Sequence, residues 1–236
     1  MTNEVMTMAG VPGSVLSASW GAVENIDTND LLVPKIFHMQ AISKLVQDGA
    51  ARPGDFCDSL TGEVLAKKDE KLQLIIFGSY KTMIISTEAG GGKFKLDKII
   101  SITPENAAEW ANKPFTEEVD GIEHRYSLQY NYLCLIPSKI AELPYVLSLG
   151  STKTKVAKKL NTMLSKLSQL GKPGASVVFD FTSTTEKNDR GSWAGLEVTQ
   201  GRNASPDELV AAHAWYVKSK SQKFVASEEA HEDDGL

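Results

Sequence analysis

One segment with helical spacing stands among several β-type runs, and this contrast limits the folds open to the chain. From Thr152 to Leu170 the apolar residues recur every three or four positions, which is the spacing of one face of an α-helix. Gly171 and Pro173 follow and predict the end of that helix. The surrounding β-type runs do not alternate with helices as they would in a doubly wound sheet. We therefore predict a mainly β fold, a small closed or partly closed barrel with one prominent helix at about 152–170.

The β-type runs divide the chain into a folded body and two polar ends. The predicted strands are 72–77, 81–86, 94–102, 124–136, 144–149, 176–185 and 192–199, with a last helix at 207–216 that starts after Ser205-Pro206. The first two of these strands are separated by a predicted turn at Gly78-Ser79-Tyr80. We predict a flexible arm at 1–29, one barrel domain at 30–216 and an acidic, disordered tail at 217–236.

Charge is unevenly distributed along the chain. The net charge is −5, from 25 Lys and Arg against 30 Asp and Glu. Residues 143–179 contain six lysines and no acid, whereas 103–123 contain six acids against Lys113 alone. Five acids close to the C-terminus hold the whole net excess, and they are Glu228, Glu229, Glu232, Asp233 and Asp234. The chain therefore has a basic segment, an acidic segment and an acidic tail.

Several function classes have no support in the sequence. Apolar residues make up 42% of the chain, as in ordinary globular proteins, and no run reaches the roughly 18–20 apolar residues of a membrane span. Cys57 and Cys134 form no metal-binding or redox motif, and the four histidines have no ligand spacing. The glycine-rich loop before Lys93 lacks the spacing of a phosphate-binding loop. We expect a cytoplasmic protein that is not an enzyme, with no metal and no cofactor.

Three tyrosines on one predicted strand are candidates for contact with a ligand. Tyr126, Tyr130 and Tyr132 share one face of that strand by the period-two rule. This face belongs either to the barrel core or, at its Tyr-rich end, to the rim of a groove where rings stack on unpaired bases. Further stacking candidates lie beside basic residues: Trp193 near Arg190, and Tyr80 next to Lys81. For each ring alone, packing in the core is the more common role.

The predicted helix carries a stripe of lysines beside its apolar face. The stripe spans about 100° of the helix and consists of Lys155, Lys158, Lys159 and Lys166, with Lys153 just before them. Charged stripes commonly only solvate a helix. Because no acid occurs over 143–179 and aromatic residues accompany the lysines, the pattern favours binding of a single-stranded nucleic acid.

The segment from Leu31 to Leu65 resembles the N-terminal segment of bacteriophage-encoded single-stranded DNA-binding proteins. The resemblance is carried by Leu32-Val33-Pro34-Lys35-Ile36, Gln40, Gly49, Pro53-Gly54-Asp55-Phe56 and Asp58-Ser59-Leu60-Thr61-Gly62-Glu63. Proteins of that family are OB-fold replication proteins that coat exposed strands and end in an acidic tail. Many such tails end on an aromatic residue, whereas this chain ends on Leu236.

The resemblance implies an OB-like barrel that binds single-stranded DNA regardless of sequence, in phage DNA replication, recombination or repair in the cytoplasm of the host bacterium. The lysines, Arg190 and the aromatic residues named above would contact DNA. The acidic tail would compete with DNA and meet replication proteins such as a polymerase or a helicase. The sequence leaves a homo-oligomer open. The alternative is a non-catalytic phage structural or protein-interaction module with an OB-like barrel, whose lysines only solvate the helix.

Overall fold

One sheet of ten strands dominates the computed structural model, in which residues 32–90, 92–111, 113–189 and 191–221 are described. The strands are β1 (Lys35–His38), β2 (Phe56–Asp58), β3 (Val64–Ala66), β4 (Lys71–Glu88), β5 (Phe94–Ile102), β6 (Thr116–Val119), β7 (Ile122–Leu135), β8 (Tyr145–Gly150), β9 (Val177–Asn188) and β10 (Gly191–Asn203). The helices of the described part are α1 (Lys44–Gln47), α2 (Ala107–Trp110), α3 (Thr154–Gln169) and α4 (Pro206–Ser221), with 3₁₀ turns at Pro137–Lys139, Ser151–Lys153 and Gly174–Ser176. The predicted mainly β class is confirmed.

The sheet curves through the order β10-β9-β4-β7-β8-β1-β2-β3, and within the described residues its two end strands do not pair with each other. Beside this path, β5 pairs with β4 and β6 pairs with β7. The pairing of β1 with β8 is parallel, and the others are antiparallel. The sheet is therefore not closed, which agrees with the predicted OB-like, partly closed barrel with one prominent helix.

The main core lies between the inner face of the sheet and the apolar side of α3. The buried side chains of this helix are Val156, Ala157, Leu160 and Leu167, as its sequence period predicts. They pack with the fully buried Phe179 and Phe181 of β9 and with residues of β4, β7, β8 and β10. Each fully buried side chain of this size stabilises the fold by about 1.5–3 kcal/mol. Because α3 contacts both β8 and β10, it lies across two strands that do not pair.

Side chains, and not a backbone ladder, join the two ends of the sheet. The side-chain amide of Gln40 forms two hydrogen bonds with the backbone of Ala194 on β10. Its Nε2 donates to the carbonyl at 3.0 Å, and its Oε1 accepts from the N–H at 3.2 Å. The Ser183 hydroxyl on β9 donates to Gly54 O at 2.6 Å. His38 Nε2 on β1 lies 2.5 Å from the same hydroxyl oxygen. Gln40 and Gly54, which carry part of the sequence resemblance, thus contribute to the seam of the open barrel.

A second apolar cluster holds together an extension of the sheet that we call the wing (residues 81–130). The wing contains the later half of β4, all of β5, α2 and β6, and the first part of β7. Met83, Ile85 and Tyr126 are buried in it and pack against Ile100 and Trp110. The wing therefore has a core distinct from the main core.

Gly78 lies within one long strand, so the predicted turn between two strands at this position is wrong. The register of β4 against β7 skips Phe77, because Ile76 pairs with Cys134 and Gly78 pairs with Leu133. A β-carbon at Gly78 would lie 3.1 Å from a methyl group of Leu133. The glycine therefore permits a β-bulge with close strand approach, a role that sequence alone does not distinguish from a turn.

The last helix starts where the sequence predicts and extends further. Glu208 accepts from Ser205 N at 2.7 Å while Glu208 N donates to Ser205 Oγ at 3.3 Å, which is a capping box at the start of α4. The helix continues to Ser221, past the predicted boundary at 216, because no Gly or Pro interrupts it. The predicted arm at 1–29 and the remainder of the predicted tail, 222–236, lie outside the described residues.

Candidate nucleic-acid interface

A pocket of about 290 Å³ lies where the barrel, α3 and the wing meet, and we call it the tyrosine pocket. Its lining includes Tyr80, Lys81, Ile102, Tyr130, Tyr132 and Asn161. Four of these, the three tyrosines and the lysine, are among the residues predicted to contact DNA. The fold thus gathers at one place candidates that are about 50 residues apart in the chain.

Lys81 and Tyr130 form the polar and aromatic parts of the pocket. They stand directly opposite each other in the pairing of β4 with β7. Lys81 Nζ lies 5.4 Å from the centroid of the Tyr130 ring. Lys81 is exposed and Tyr130 is half-buried, so a ligand can reach both. An aromatic face beside a mobile ammonium group suits a base followed by a phosphate.

Tyr132 is fully buried and forms the base of the pocket. Its hydroxyl lies 2.9 Å from Asn161 Oδ1 and 3.1 Å from Ala157 O, both on α3. Burial is the main cause that raises the pKa of this hydroxyl. Tyr132 therefore joins β7 to α3 as a core residue, which is one of the two alternatives that the sequence left open, and its ring is not placed to stack on a base. Asn161 also lines the pocket, so its side-chain amide borders the place where a ligand would lie.

Tyr126 is also a core residue and does not line the tyrosine pocket. It is 9% exposed in the wing, where its hydroxyl donates to Glu117 at 3.1 Å. Lys113 Nζ lies 4.9 Å from the centroid of its ring. The structure thus places Tyr126 and Tyr132 in the core, which is one of the alternatives that the sequence left open. Tyr130 alone of the three keeps an accessible ring.

The two remaining stacking candidates have different surroundings. Tyr80 lines the tyrosine pocket but also packs against a further apolar cluster, which includes Ile75, Phe77 and Leu133, and burial raises the pKa of its hydroxyl. Trp193 is half-buried and, by strand alternation, lies on the face of β10 opposite to the buried Leu196 and Val198. It does not line the pocket. Arg190, its predicted companion, lies outside the described residues.

The lysines of α3 do not all point toward the pocket. All four members of the stripe are exposed. At 100° per residue, Lys158 is about 60° from Asn161 around the helix, and Lys155, Lys159 and Lys166 are about 120–160° from it. Lys158 is therefore the stripe residue nearest to the pocket, and the other three lie further around the solvent side of the helix.

Lys153 is separate from this stripe. It is half-buried just before α3, and its charge adds to burial in holding the pKa of His38 far below the ordinary value. Its charge therefore lies near β1 and the start of α3. The five tail acids, Glu228, Glu229, Glu232, Asp233 and Asp234, lie outside the described residues.

The described residues contain neither a candidate metal site nor a helix that could span a membrane. No group of three or more His, Cys, Asp or Glu side chains there is arranged to hold a metal ion. None of the described helices has the length and apolar character needed to cross a membrane.

Sequence reasoning missed Asn161 and the wall formed by Ile102, Pro104 and Ala107. Asn161 occupies the flank of α3 next to the lysine stripe, so helical spacing could have drawn attention to it. Ile102 ends β5, Pro104 follows it and Ala107 begins α2, and no motif marks these residues as a site. Only the packing of the wing beside α3 brings them to the pocket.

Comparison with known proteins places the chain in a phage family. The model of the Pam3 phage gp34-like protein family matches residues 16–225, which is most of the chain. No curated protein and no solved structure matches it. The phage character expected from the sequence resemblance is thus supported at the level of the family. On the extent of this match, the chain belongs to the Pam3 phage gp34-like protein family.

Proposed function

We propose that this protein binds single-stranded DNA without sequence preference during phage DNA replication, recombination or repair in the host cytoplasm, and that it catalyses no reaction. The observation that carries the proposal is the accessible Tyr130 ring beside Lys81, in a pocket whose far wall belongs to the lysine helix. Stacking tolerates any base because every base has a π-face, and a lysine meets any phosphate.

The arrangement suggests a path for the strand. One base stacks on Tyr130, its phosphate meets Lys81, and the Asn161 amide donates to an acceptor on the base or the sugar. The strand then passes Lys158 and continues over the solvent side of α3. A pocket of about 290 Å³ is small by the standard of ligand sites, which suits a single unpaired base and excludes a duplex.

Replacing Tyr130 tests this proposal, with Tyr126 as the matched control on the same strand. Tyr130→Ala should weaken binding to labelled oligo(dT) by about 1–2 kcal/mol, in the lower part of the range for base stacking because the ring is half-buried. The fold should remain intact by circular dichroism. Tyr126→Ala should lower the melting temperature by opening the core of the wing, with little change in the affinity of the folded protein.

Two results would contradict the proposal: wild-type protein without measurable affinity for oligo(dT), or Tyr130→Ala protein that is folded and binds as wild type does. Either result would favour the phage structural or protein-interaction module. The acidic β6 edge of the wing, described below, is the observation that favours that second function.

Deleting residues 228–236 should raise the affinity for single-stranded DNA several-fold at low salt. These residues hold five carboxylates, and a tethered polyanion competes with DNA for a basic surface at high effective concentration. Added salt screens this competition, so the gain should shrink at high ionic strength. Titration of full-length and truncated protein with oligo(dT) at two salt concentrations measures the effect. Equal affinities under both conditions would leave only a solubilising role for the tail.

A further inference from the structure

The wing ends in two open strand edges. Its four strands lie in the order β5-β4-β7-β6, and within the described residues β5 pairs only with β4 and β6 only with β7. A strand edge presents unpaired backbone N–H and C=O groups, to which a strand of another molecule can add. Both outer strands of the wing are therefore available for pairing.

These two edges carry opposite charge. On the β5 side, Lys93, Lys95 and Lys98 are exposed, and neither Lys95 nor Lys98 forms an ion pair with a described residue. On the β6 side, Glu118 and the adjacent turn residue Asp120 are exposed. Asp97 of β5 is exposed as well, so the β5 edge has a net positive charge and the β6 edge is acidic.

The acidic edge contains a pair of like charges of which one member lacks a counter-ion among the described residues. Glu118 stands directly opposite Glu123 in the pairing of β6 with β7. Like charges in this position destabilise a strand pair. Glu123 has Arg125 Nε at 3.5 Å, but Glu118 has no counter-ion among the described residues. A positive charge from another molecule would relieve the pair, which indicates a basic partner at this edge.

Apolar side chains accompany the charges on both edges. Leu96 of β5 is 36% exposed, and Val119 and Ile122 at the β6–β7 turn are 40% and 47% exposed. Each edge therefore offers apolar surface as well as backbone hydrogen-bonding groups and charge. This combination is typical of a surface that is covered in an assembly.

We propose that the acidic β6 edge of one molecule pairs with the basic β5 edge of a second copy. Since each neighbouring pair in the wing is antiparallel, β6 runs opposite to β5. A second wing moved along the sheet by translation alone would therefore place its β5 antiparallel to β6. Such an interface is heterologous and does not close, so it builds an open row of copies. Pairing of two β6 edges or two β5 edges is opposed by like charge.

The proposal does not depend on DNA binding, and its test uses the full chain without DNA. Sedimentation velocity at low salt should show a sedimentation coefficient that rises with protein concentration and reaches no plateau. Lys95→Glu and Glu118→Lys should each weaken this association about tenfold. Glu118→Lys should at the same time raise the melting temperature, because it removes the repulsion with Glu123. A loss of assembly in this variant is then not a folding defect.

Mixing the two variants gives the sharpest result. In an alternating row of the two variants, every second interface is the wild-type one and the others have the charges at positions 95 and 118 exchanged, so an equimolar mixture should assemble again. Lys67→Glu, at an exposed position before β4, is the control for net charge and should assemble as wild type does. The proposal is overturned by a wild-type protein that stays monomeric, by a plateau at a dimer, by single variants that behave as wild type, or by a mixture that does not assemble.

Discussion

Raising the salt concentration from about 50 to about 200 mM should weaken binding to oligo(dT) about 50-fold. Each phosphate neutralised on a single strand contributes roughly −0.7 to the slope of log affinity against log salt, so about four contacts give a slope near −3. The structure offers enough lysines for four contacts, because the four stripe lysines of α3 are all exposed and Lys81 stands at the pocket. Duplex DNA of equal length should bind more weakly, since its bases are not free to stack on Tyr130.

Fluorescence anisotropy over a series of salt concentrations measures the slope. Lys158→Ala should reduce it by about 0.7, because this lysine lies nearest to the pocket. Lys67→Ala, at an exposed position between β3 and β4, is the matched control and should leave the slope unchanged. A slope near zero, or equal affinity for duplex, would show that the stripe only solvates the helix.

Acidification from about pH 7.5 to about pH 4.5 should reduce the free energy of unfolding by about 3 kcal/mol through His38 alone. Burial and, to a smaller extent, the charge of Lys153 lower the pKa of His38 from 6.5 to about 3. As the pH falls, the unfolded chain therefore protonates His38 at a higher pH than the folded chain does. The stability contributed by neutral His38 is complete above pH 6.5 and is lost progressively as the pH falls toward 3.

The hydrogen bonds at the seam explain why His38 resists protonation. The Ser183 hydroxyl donates its proton to Gly54 O and can only accept from His38, so the imidazole proton sits on Nε2. Nδ1 is then a buried lone pair without a partner. A second proton there would be a buried charge with no acceptor and with Lys153 nearby.

Urea unfolding at several pH values measures this contribution. Other groups also lose stability in acid, among them Glu208, whose carboxylate is held ionised by Arg202. The decisive quantity is therefore the difference between wild type and His38→Gln, and the variant should have a shallower dependence on pH between about 4.5 and 6.5. His213→Gln, at an exposed position, is the control and should keep the wild-type slope. Parallel curves for wild type and His38→Gln would contradict the assignment.

The local sequence pattern was sufficient to predict those elements whose residues interact mainly with their neighbours in the chain. The apolar period of 152–170 predicts α3, and Ser205-Pro206 predicts the start of α4, because helix periodicity and caps depend on residues within one or two turns. The β9–β10 hairpin follows from two alternating runs around a glycine for the same reason. The predicted turn at Gly78 is wrong because a turn and a β-bulge both favour a residue without a side chain. Only the register against Leu133 distinguishes the two.

The candidate site was determined in part by the sequence and in part by the fold. Composition and spacing alone gave the lysine stripe, the tyrosine face and the opposite charges of the segments 143–179 and 103–123. Only the tertiary structure decided that Tyr132 and Tyr126 are core residues, that Tyr130 remains accessible beside Lys81, and that Asn161 completes the pocket. The physical reason is that strand alternation assigns a side chain to a face, whereas burial depends on what packs over that face. Here α3 and the wing cover two of the three tyrosines. Contacts between residues so far apart in the chain produce no local sequence pattern.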